Sequence, residues 1–252
     1  MILHVLPGDA YVDEFRKAGL EGDVAIFRES LVDGDLSGES LPEFWSTRER
    51  YHASADPKNG ISYRHYVTSE IEKIFAPGAG DEINLWFEYE LFCSVNYWFC
   101  LHQLRNSEAD IYRVAPTVRD EDTKWKGFGQ LTSDEMLACY GDRAKLSQAD
   151  LSRGSELWCS FKSGDLRNVR NLGSYRSAAF PYLKEVADAA AGLHEKPKQI
   201  LRSILEVGED DIKQIFPKFT ERAGVYGFGD SQVERILSEL RSENGGSGLR
   251  ER

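Results

Sequence analysis

The sequence lacks the segments that would place the protein in or across a membrane. Its 252 residues contain no apolar run close to the roughly 20 residues that span a bilayer. The first residues, MILHVLPGDA, lack the basic region and the long apolar stretch of a secretory signal peptide. We therefore expect a cytoplasmic protein with no membrane partner.

Several familiar catalytic and binding motifs are also missing. The chain has no GxGxxG dinucleotide fingerprint, no GxxxxGK(S/T) phosphate loop and no GxSxG nucleophile elbow. Its five histidines form no HxH or HExxH pair, and its four cysteines form no CxxC pair. We expect the cysteines to be reduced and partly buried, which is typical of a cytosolic chain.

The chain has fewer basic than acidic residues. The chain has 31 Lys and Arg against 42 Asp and Glu, a net charge of −11. Nonspecific nucleic-acid binding through the whole surface is therefore disfavoured. A local basic patch would still be compatible with this balance.

Strands that alternate with helices are present in the first half of the chain. Short apolar stretches occur in MILHVLPG, GDVAIFRES, EINLWFE and ADIYRVAP, and helical patterns separate them. This alternation predicts an α/β domain over residues 1–116, with a largely parallel, Rossmann-like sheet. Residues 117–194 read as a helical connecting region. Residues 195–242 read as a three-helix module, and residues 243–252 as a disordered tail.

Polar residues follow the predicted strands at the points where ligands usually bind to an open parallel sheet. Gly8 and Asp9 follow the first strand, Arg28 and Glu29 the second, and Glu88 and Glu90 the third. We expect these side chains to form a polar cleft, which Asn96 reaches from the following helix. The excess of carboxylates suits a divalent cation such as Mg²⁺ or Mn²⁺, an amine or ribose hydroxyls.

Each of these residues also has a purely structural interpretation. Asp9 is placed to cap the first helix, and Glu90 is placed where its negative charge interacts favourably with the positive end of a helix dipole. Arg28 with Glu29 would make a surface pair, and Asn96 a satisfied core amide. Glu88 is the hardest to explain in this way. It follows LWF directly, and an unpaired buried carboxylate is expensive.

Six stretches of the chain occur in this order: HVLPGDA, GDVAIFRESLVDGDL, LWFEYELFCSVN, GFGQLT, LWCSFKSGD and YGFGDSQVERILSEL. Together they resemble the bacterial family catalogued as domain of unknown function 1835, from about residue 4 to residue 240. The resemblance implies an α/β domain followed by a helical part, and it names no reaction. It implies that the family's polar positions are Gly8, Asp9, Arg28, Glu29, Glu88, Glu90 and Asn96.

Two positions depart from that family's pattern. Position 7 is Pro where relatives tend to have Asn, which removes a side-chain amide and a backbone donor. Position 90 is Glu where Asp is usual, which lengthens the side chain by one methylene. Both changes lie in the expected cleft, so they leave open whether this chain keeps the family's activity.

Two classes of function are compatible with these patterns. The first is a strand-end acidic cleft that binds a small polar ligand or nucleotide, with metal-assisted hydrolysis or phosphoryl transfer as its chemistry. Asp9, Glu88 and Glu90 would then be metal ligands or acid–base groups, and Arg28 a phosphate clamp. Gly8, Glu29 and Asn96 would contact the ligand.

The alternative is a non-catalytic regulatory or adaptor protein whose C-terminal helices contact a protein partner, a second copy of the chain or DNA. The size of the 195–242 module suits a helix-turn-helix or winged-helix unit. Its charges favour protein contact over DNA. Residues 195–241 carry eight basic and nine acidic side chains, without the clustered basic face of a DNA reader.

Overall fold

A five-stranded, mostly parallel sheet organises the chain in the computed structural model, which describes residues 1–55 and 62–247. The strand order is β2-β1-β3-β4-β5, and the first four strands are parallel. The fifth strand pairs antiparallel with β4. The strands are β1 (Ile2–Leu6), β2 (Asp23–Ile26), β3 (Glu82–Trp86), β4 (Asp110–Val114) and β5 (Ala144–Lys145).

The prediction of four strands before residue 116 is confirmed, and β5 is an addition to it. Strand β5 is two residues long and carries little apolar surface, so it has no pattern that sequence analysis could recognise. The sheet therefore takes one strand from the segment 117–194, which we expected to be a helical connecting region. That segment is otherwise dominated by helices.

Helices cover both faces of the sheet. In the described residues the α-helices are α1 (Val12–Lys17), α2 (Leu41–Ala55), α3 (Ser69–Glu72), α4 (Leu91–Leu104), α5 (Ser133–Gly141), α6 (Gln148–Lys162), α7 (Leu166–Leu172), α8 (Leu183–Ala191), α9 (Lys196–Leu205), α10 (Ile212–Ala223) and α11 (Asp230–Ser247). Short 3-10 helices span Asp9–Tyr11, Lys73–Phe75, Glu121–Thr123 and Gly224–Tyr226, and a π-helix spans Arg64–Thr68. None of the helices in the described ranges is long and apolar enough to cross a bilayer.

Alternate residues of the strands point into two separate cores, as the two-residue period of a strand requires. The larger core contains Leu3, Val5, Ile83 and Leu85. The smaller core, under α1 and α5, contains Leu6, Trp86, Val114, Phe15 and Phe128. Because apolar side chains are buried on both faces, the parallel strands have the continuous hydrophobicity that suggested a covered sheet.

Helix α4 lies in the larger core and is buried nearly all round, as its apolar sequence predicts. It packs closely against α6, where Gly154 faces Leu101. A Cβ atom on Gly154 would lie 2.2 Å from Leu101 Cδ1, so glycine lets the two helices approach.

The C-terminal helices are joined to the rest of the chain by polar contacts as well as by the core. Gln232 Nε2 and Arg235 Nη2 of α11 donate to the two carboxylate oxygens of Asp33, which follows β2. The described part of 195–247 contains no strand, and the winged-helix interpretation stays a prediction. Helix α11 extends to Ser247 and so enters the segment 243–252 that we expected to be disordered; residues 248–252 lie outside the described ranges.

Candidate functional site

The ends of β1 and β3 lie side by side, and the chain leaves them in different directions. After β1 it enters the 3-10 turn Asp9–Tyr11 and then α1, which contacts α5 over the smaller core. After β3 it enters α4, which lies in the larger core. The two segments separate at this edge, which is where open α/β sheets bind ligands.

Glu88 sits at this junction and bridges the two segments. Its Oε1 accepts hydrogen bonds from Tyr11 Oη at 2.9 Å and from the Phe128 backbone N–H at 2.6 Å. Its Oε2 lies 3.9 Å from Cys93 Sγ. The carboxylate of Glu88 thus ties the β1 end, the 124–128 loop and the start of α4 together.

Glu90 is the N-cap of α4. Its Oε1 accepts a hydrogen bond from the Cys93 backbone N–H at 3.0 Å, which satisfies one of the free donors at the helix start. The residue is only 4% exposed, and its Oε2 is buried without a hydrogen-bond partner in the described structure. A buried carboxylate oxygen without a hydrogen-bond partner costs free energy when the group is ionised.

Burial shapes the protonation of this cluster. Burial, together with the negative charge of Glu88, raises the pKa of Glu90 to about 8. Burial also raises the pKa of Glu88, although the bonds from Phe128 and Tyr11 oppose that effect. The pKa of the Cys93 thiol is raised well above its usual value by burial and by the two carboxylates. Near neutral pH the pair therefore retains a proton unless a cation replaces it.

Two glycines in similar GFG segments lie in close contact with the side chains of Glu88 and Glu90. Gly127 has φ +66°, and a Cβ atom there would lie 1.9 Å from Glu88 Oε1. Gly227 has φ +65°, and its Cβ atom would lie 2.3 Å from Glu90 Cγ. Both positions require glycine for the backbone conformation and for the close approach. The two segments are more than ninety residues apart in sequence and cover neighbouring acids.

The structure brings together part of the expected metal set. Ligand atoms of Glu88, Glu90 and Cys93 lie within 4.8 Å of one another. Asp9, the third expected ligand, is not a member of this group, and Cys93 takes its place. Cys93 lies three residues after Glu90, one helical turn away, so the i+3 spacing is the signal by which the sequence could have placed the thiol there.

Asp9 instead binds Arg28. Its carboxylate accepts from Arg28 Nε and Nη2 at 2.8 to 3.1 Å and from Tyr66 Oη at 3.2 Å. The guanidinium lies 4.2 Å from the centre of the Tyr66 ring. Within the described ranges Asp9 makes no capping hydrogen bond to its helix, so its structural role is this ion pair at the ends of β1 and β2.

Glu29 does not form a surface pair with Arg28; it is buried with Arg48. Arg48 donates to Glu29 through Nε at 3.0 Å and Nη2 at 2.7 Å, and both side chains are fully buried. His52 Nε2 lies 3.0 Å from Glu29 Oε1, and Tyr63 Oη donates to the same oxygen. Burial opposes ionisation, yet the bonds from His52 and Arg48 lower the pKa of Glu29 to about 2.

Asn96 lies in the larger core rather than in an open cleft. Its Oδ1 accepts from the Leu31 backbone N–H at 3.1 Å, and its Nδ2 donates to the Glu29 carbonyl at 2.8 Å. Asn96 thus fixes the loop after β2 to α4. Gly8 lies next to Asp9 and has an extended backbone.

Comparison of the chain with protein-family models, with curated proteins and with solved structures finds no match.

Proposed function

We propose that this protein binds a divalent cation at the Glu88–Glu90–Cys93 cluster, together with a small polar ligand or nucleotide at the same sheet edge. The observation that carries the proposal is the buried Oε2 of Glu90, which has no hydrogen-bond partner among the residues that the structure describes and lies beside a second carboxylate. A cation would satisfy that oxygen and neutralise the pair. The strand order supports a Rossmann-like topology, in which this edge is the expected binding site.

The donor set favours a borderline cation over a hard one. Mg²⁺ prefers carboxylates, carbonyls and water, and two carboxylates alone would suit it or Mn²⁺. The thiol of Cys93 adds a soft donor, and the mixture of sulfur and carboxylate oxygen is typical of Zn²⁺. We therefore expect Zn²⁺ or Mn²⁺ to bind more tightly than Mg²⁺.

Metal-assisted hydrolysis or phosphoryl transfer is the chemistry that this arrangement serves best. A bound cation would polarise a substrate oxygen and acidify a bound water. Glu88 is held in place by Tyr11 and by the 124–128 loop, which suits a fixed ligand. Glu90, with its pKa near neutrality, suits a group that takes or gives a proton. Arg28 is already neutralised by Asp9, so a phosphate would reach it only by displacing that carboxylate.

A thermal-shift experiment tests this proposal. A cation at about 100 times its dissociation constant stabilises the folded state by about 2.7 kcal/mol, which is roughly 5–10 °C for a chain of this size. We expect Zn²⁺ or Mn²⁺ to raise the Tm of the wild type by this amount. Glu88→Gln and Glu90→Gln should abolish the shift, and Cys93→Ser should reduce it for Zn²⁺ in particular.

Asp9→Asn is the matched control, because Asp9 lies outside the cluster. Its metal response should equal that of the wild type. If no cation shifts the Tm, or if the Glu88 and Glu90 variants respond like the wild type, the cluster is a proton-sharing structural pair and the proposal is wrong. A nucleotide that adds stability only with metal present would extend the proposal to the second ligand.

The adaptor alternative has less support from the charges of the C-terminal helices. Arg235 is paired with Asp33, Lys198 with Glu239, and Arg202 with Glu243. These basic side chains are neutralised within the chain, so they offer little to DNA phosphates. We propose protein contact or self-association, rather than DNA binding, as the function of this region if the metal proposal fails.

A further inference from the structure

Arg113 carries a buried positive charge for which the described residues supply no carboxylate. It is the fourth residue of β4, close to the carboxyl end of the strand, and it is 5% exposed. Arg48, which is also buried, differs in this respect, because its guanidinium is paired with Glu29. Within the part of the chain that the structure describes, Arg113 bonds only to backbone carbonyls. A buried charge without a counter-charge costs free energy.

Two carbonyl groups and two aromatic rings surround this guanidinium. Its Nη1 donates to the Ala179 carbonyl, and its Nη2 donates to the Glu88 carbonyl at 3.1 Å. Its central carbon lies 4.5 Å from the centre of the Tyr97 ring and 5.1 Å from that of the Tyr89 ring. Burial raises the pKa of both phenols, so both tyrosines are uncharged at neutral pH. These neighbours therefore reduce the cost of burying the positive charge without cancelling the charge.

A small cavity lies beside Arg113, between β4, α4 and the segment that leads into α8. Its volume is about 10 Å³, which is enough for one water-sized group. Tyr89, Ser94 and Tyr182 contribute neutral polar side chains to the lining, and the other residues apart from Arg113 are aromatic or aliphatic. Among the described residues that line the cavity, Arg113 is thus the only charged one. The cavity offers a positive charge and no competing negative charge.

We propose that this cavity binds one chloride ion as the counter-charge of Arg113. Charge and size both select this ion, because the guanidinium attracts an anion and the volume excludes phosphate, nucleotides and larger organic anions. Chloride is only slightly larger than water. Because Arg113 also holds the carbonyl of Glu88, the bound ion stabilises the segment that follows β3. The site needs no metal and does not depend on cation binding by Glu88, Glu90 and Cys93.

Long-wavelength X-ray diffraction from crystals grown in sodium chloride tests the proposal directly. Chlorine gives a measurable anomalous signal at such wavelengths, and the oxygen of a water molecule gives almost none. We expect an anomalous peak in the cavity beside Arg113 of the wild type. A cavity that holds only water, or nothing, overturns the proposal.

Thermal unfolding in two sodium salts measures the same binding in solution. Gluconate is too large for the cavity, and at equal ionic strength it screens surface charges as chloride does. We expect chloride to give an additional, saturating rise in the Tm of the wild type. At ten times the dissociation constant this rise should be about 3–6 °C for a chain of this size. A Tm that rises with chloride without saturating reports only nonspecific salt effects and contradicts the proposal.

Two arginine variants assign the effect to its residue. Arg113→Met removes the buried charge, so it should abolish the saturating chloride response. Arg143→Met is the matched control, because Arg143 also lies over two tyrosine rings, those of Tyr112 and Tyr140, but has Glu82 as its carboxylate partner at 3.5 Å. It should keep the response. The proposal is overturned if Arg113→Met responds like the wild type or if Arg143→Met loses the response; if Arg113→Met does not fold, the diffraction experiment on the wild type decides.

Discussion

Replacing Glu29 by Gln should reveal how much a buried ion pair contributes to the stability of the protein. Glu29 and Arg48 are both fully buried, and together they connect the loop after β2 to α2. The variant keeps the shape of the side chain but leaves the Arg48 guanidinium without a counter-charge. Removing one partner of a buried ion pair usually destabilises a protein by about 3–5 kcal/mol.

The pKa of Glu29 gives a second, independent magnitude. It falls from 4.5 to about 2 on folding. Because the folded pKa is lowered, the stabilisation is fully present above pH 4.5 and is lost as the pH falls through 2. A difference of about 2.5 pH units corresponds to about 3 kcal/mol, which agrees with the first value.

Urea unfolding of the wild type and of Glu29→Gln, at several pH values between 7 and 2, measures this effect. The difference between the two free energies of unfolding should be about 3 kcal/mol or more at pH 7 and should shrink as the pH approaches 2. Glu39→Gln is the control, because Glu39 is exposed. It should change the free energy of unfolding little at any pH.

A difference that stays constant across the pH range would refute the ionised pair as its cause. The double variant Glu29→Gln/Arg48→Met provides a further check. It removes the unpaired charge, so it should be less destabilised than the sum of the two single variants. Simple additivity would show that the two side chains contribute separately.

Three further predictions concern the strand-end cluster and its support. Because the pKa of Glu90 is raised to about 8 in the folded state, its ionisation destabilises the fold as the pH rises from 4.5 to 8. Glu90→Gln should therefore stabilise the metal-free protein by a few kcal/mol at pH 8 and not at pH 4. Urea unfolding at the two pH values measures the difference. Gly127→Ala should lower the Tm, because the positive φ alone costs about 1–2 kcal/mol and the added methyl group would collide with Glu88. Gly129→Ala is the control and should have a smaller effect, because the space around its Cβ is open. Asn96→Leu should destabilise by about 2–4 kcal/mol in chemical denaturation, because two buried backbone groups lose their partners; an unchanged midpoint would contradict this account.

The sequence predicts the sheet well because the relevant information is local. The four parallel strands are apolar segments bounded by Gly, Pro or acidic residues, and Glu88 and Glu90 follow the third of them directly. Their proximity to the sheet edge could therefore be expected. The structure also has a capping box at Thr132 and Glu135, a pattern of the same local kind, since it depends on two residues three positions apart.

The partners of each polar residue could not be predicted, because they come from distant parts of the chain. Glu29 is bound by Arg48, His52 and Tyr63 on later helices, and nothing in the sequence around Glu29 identifies them. Asp9 has the sequence context of a helix cap, but it binds the guanidinium of Arg28, nineteen residues later in the chain, instead. Local propensity suggests a position for a polar group, and tertiary contacts decide what it binds.

Gly227 packs closely against Glu90, and this contact can form only late in synthesis. Glu90 leaves the ribosome well before Gly227, by roughly 7–30 s if translation proceeds at about 5–20 residues per second. During that interval α4, β4 and β5 are synthesised and the sheet can form, while the segment that covers Glu90 is still absent. A metal supplied to the nascent chain would therefore meet a less obstructed path than one added to the finished protein. If the metal proposal is right, added cation should bind faster during refolding than to the native protein.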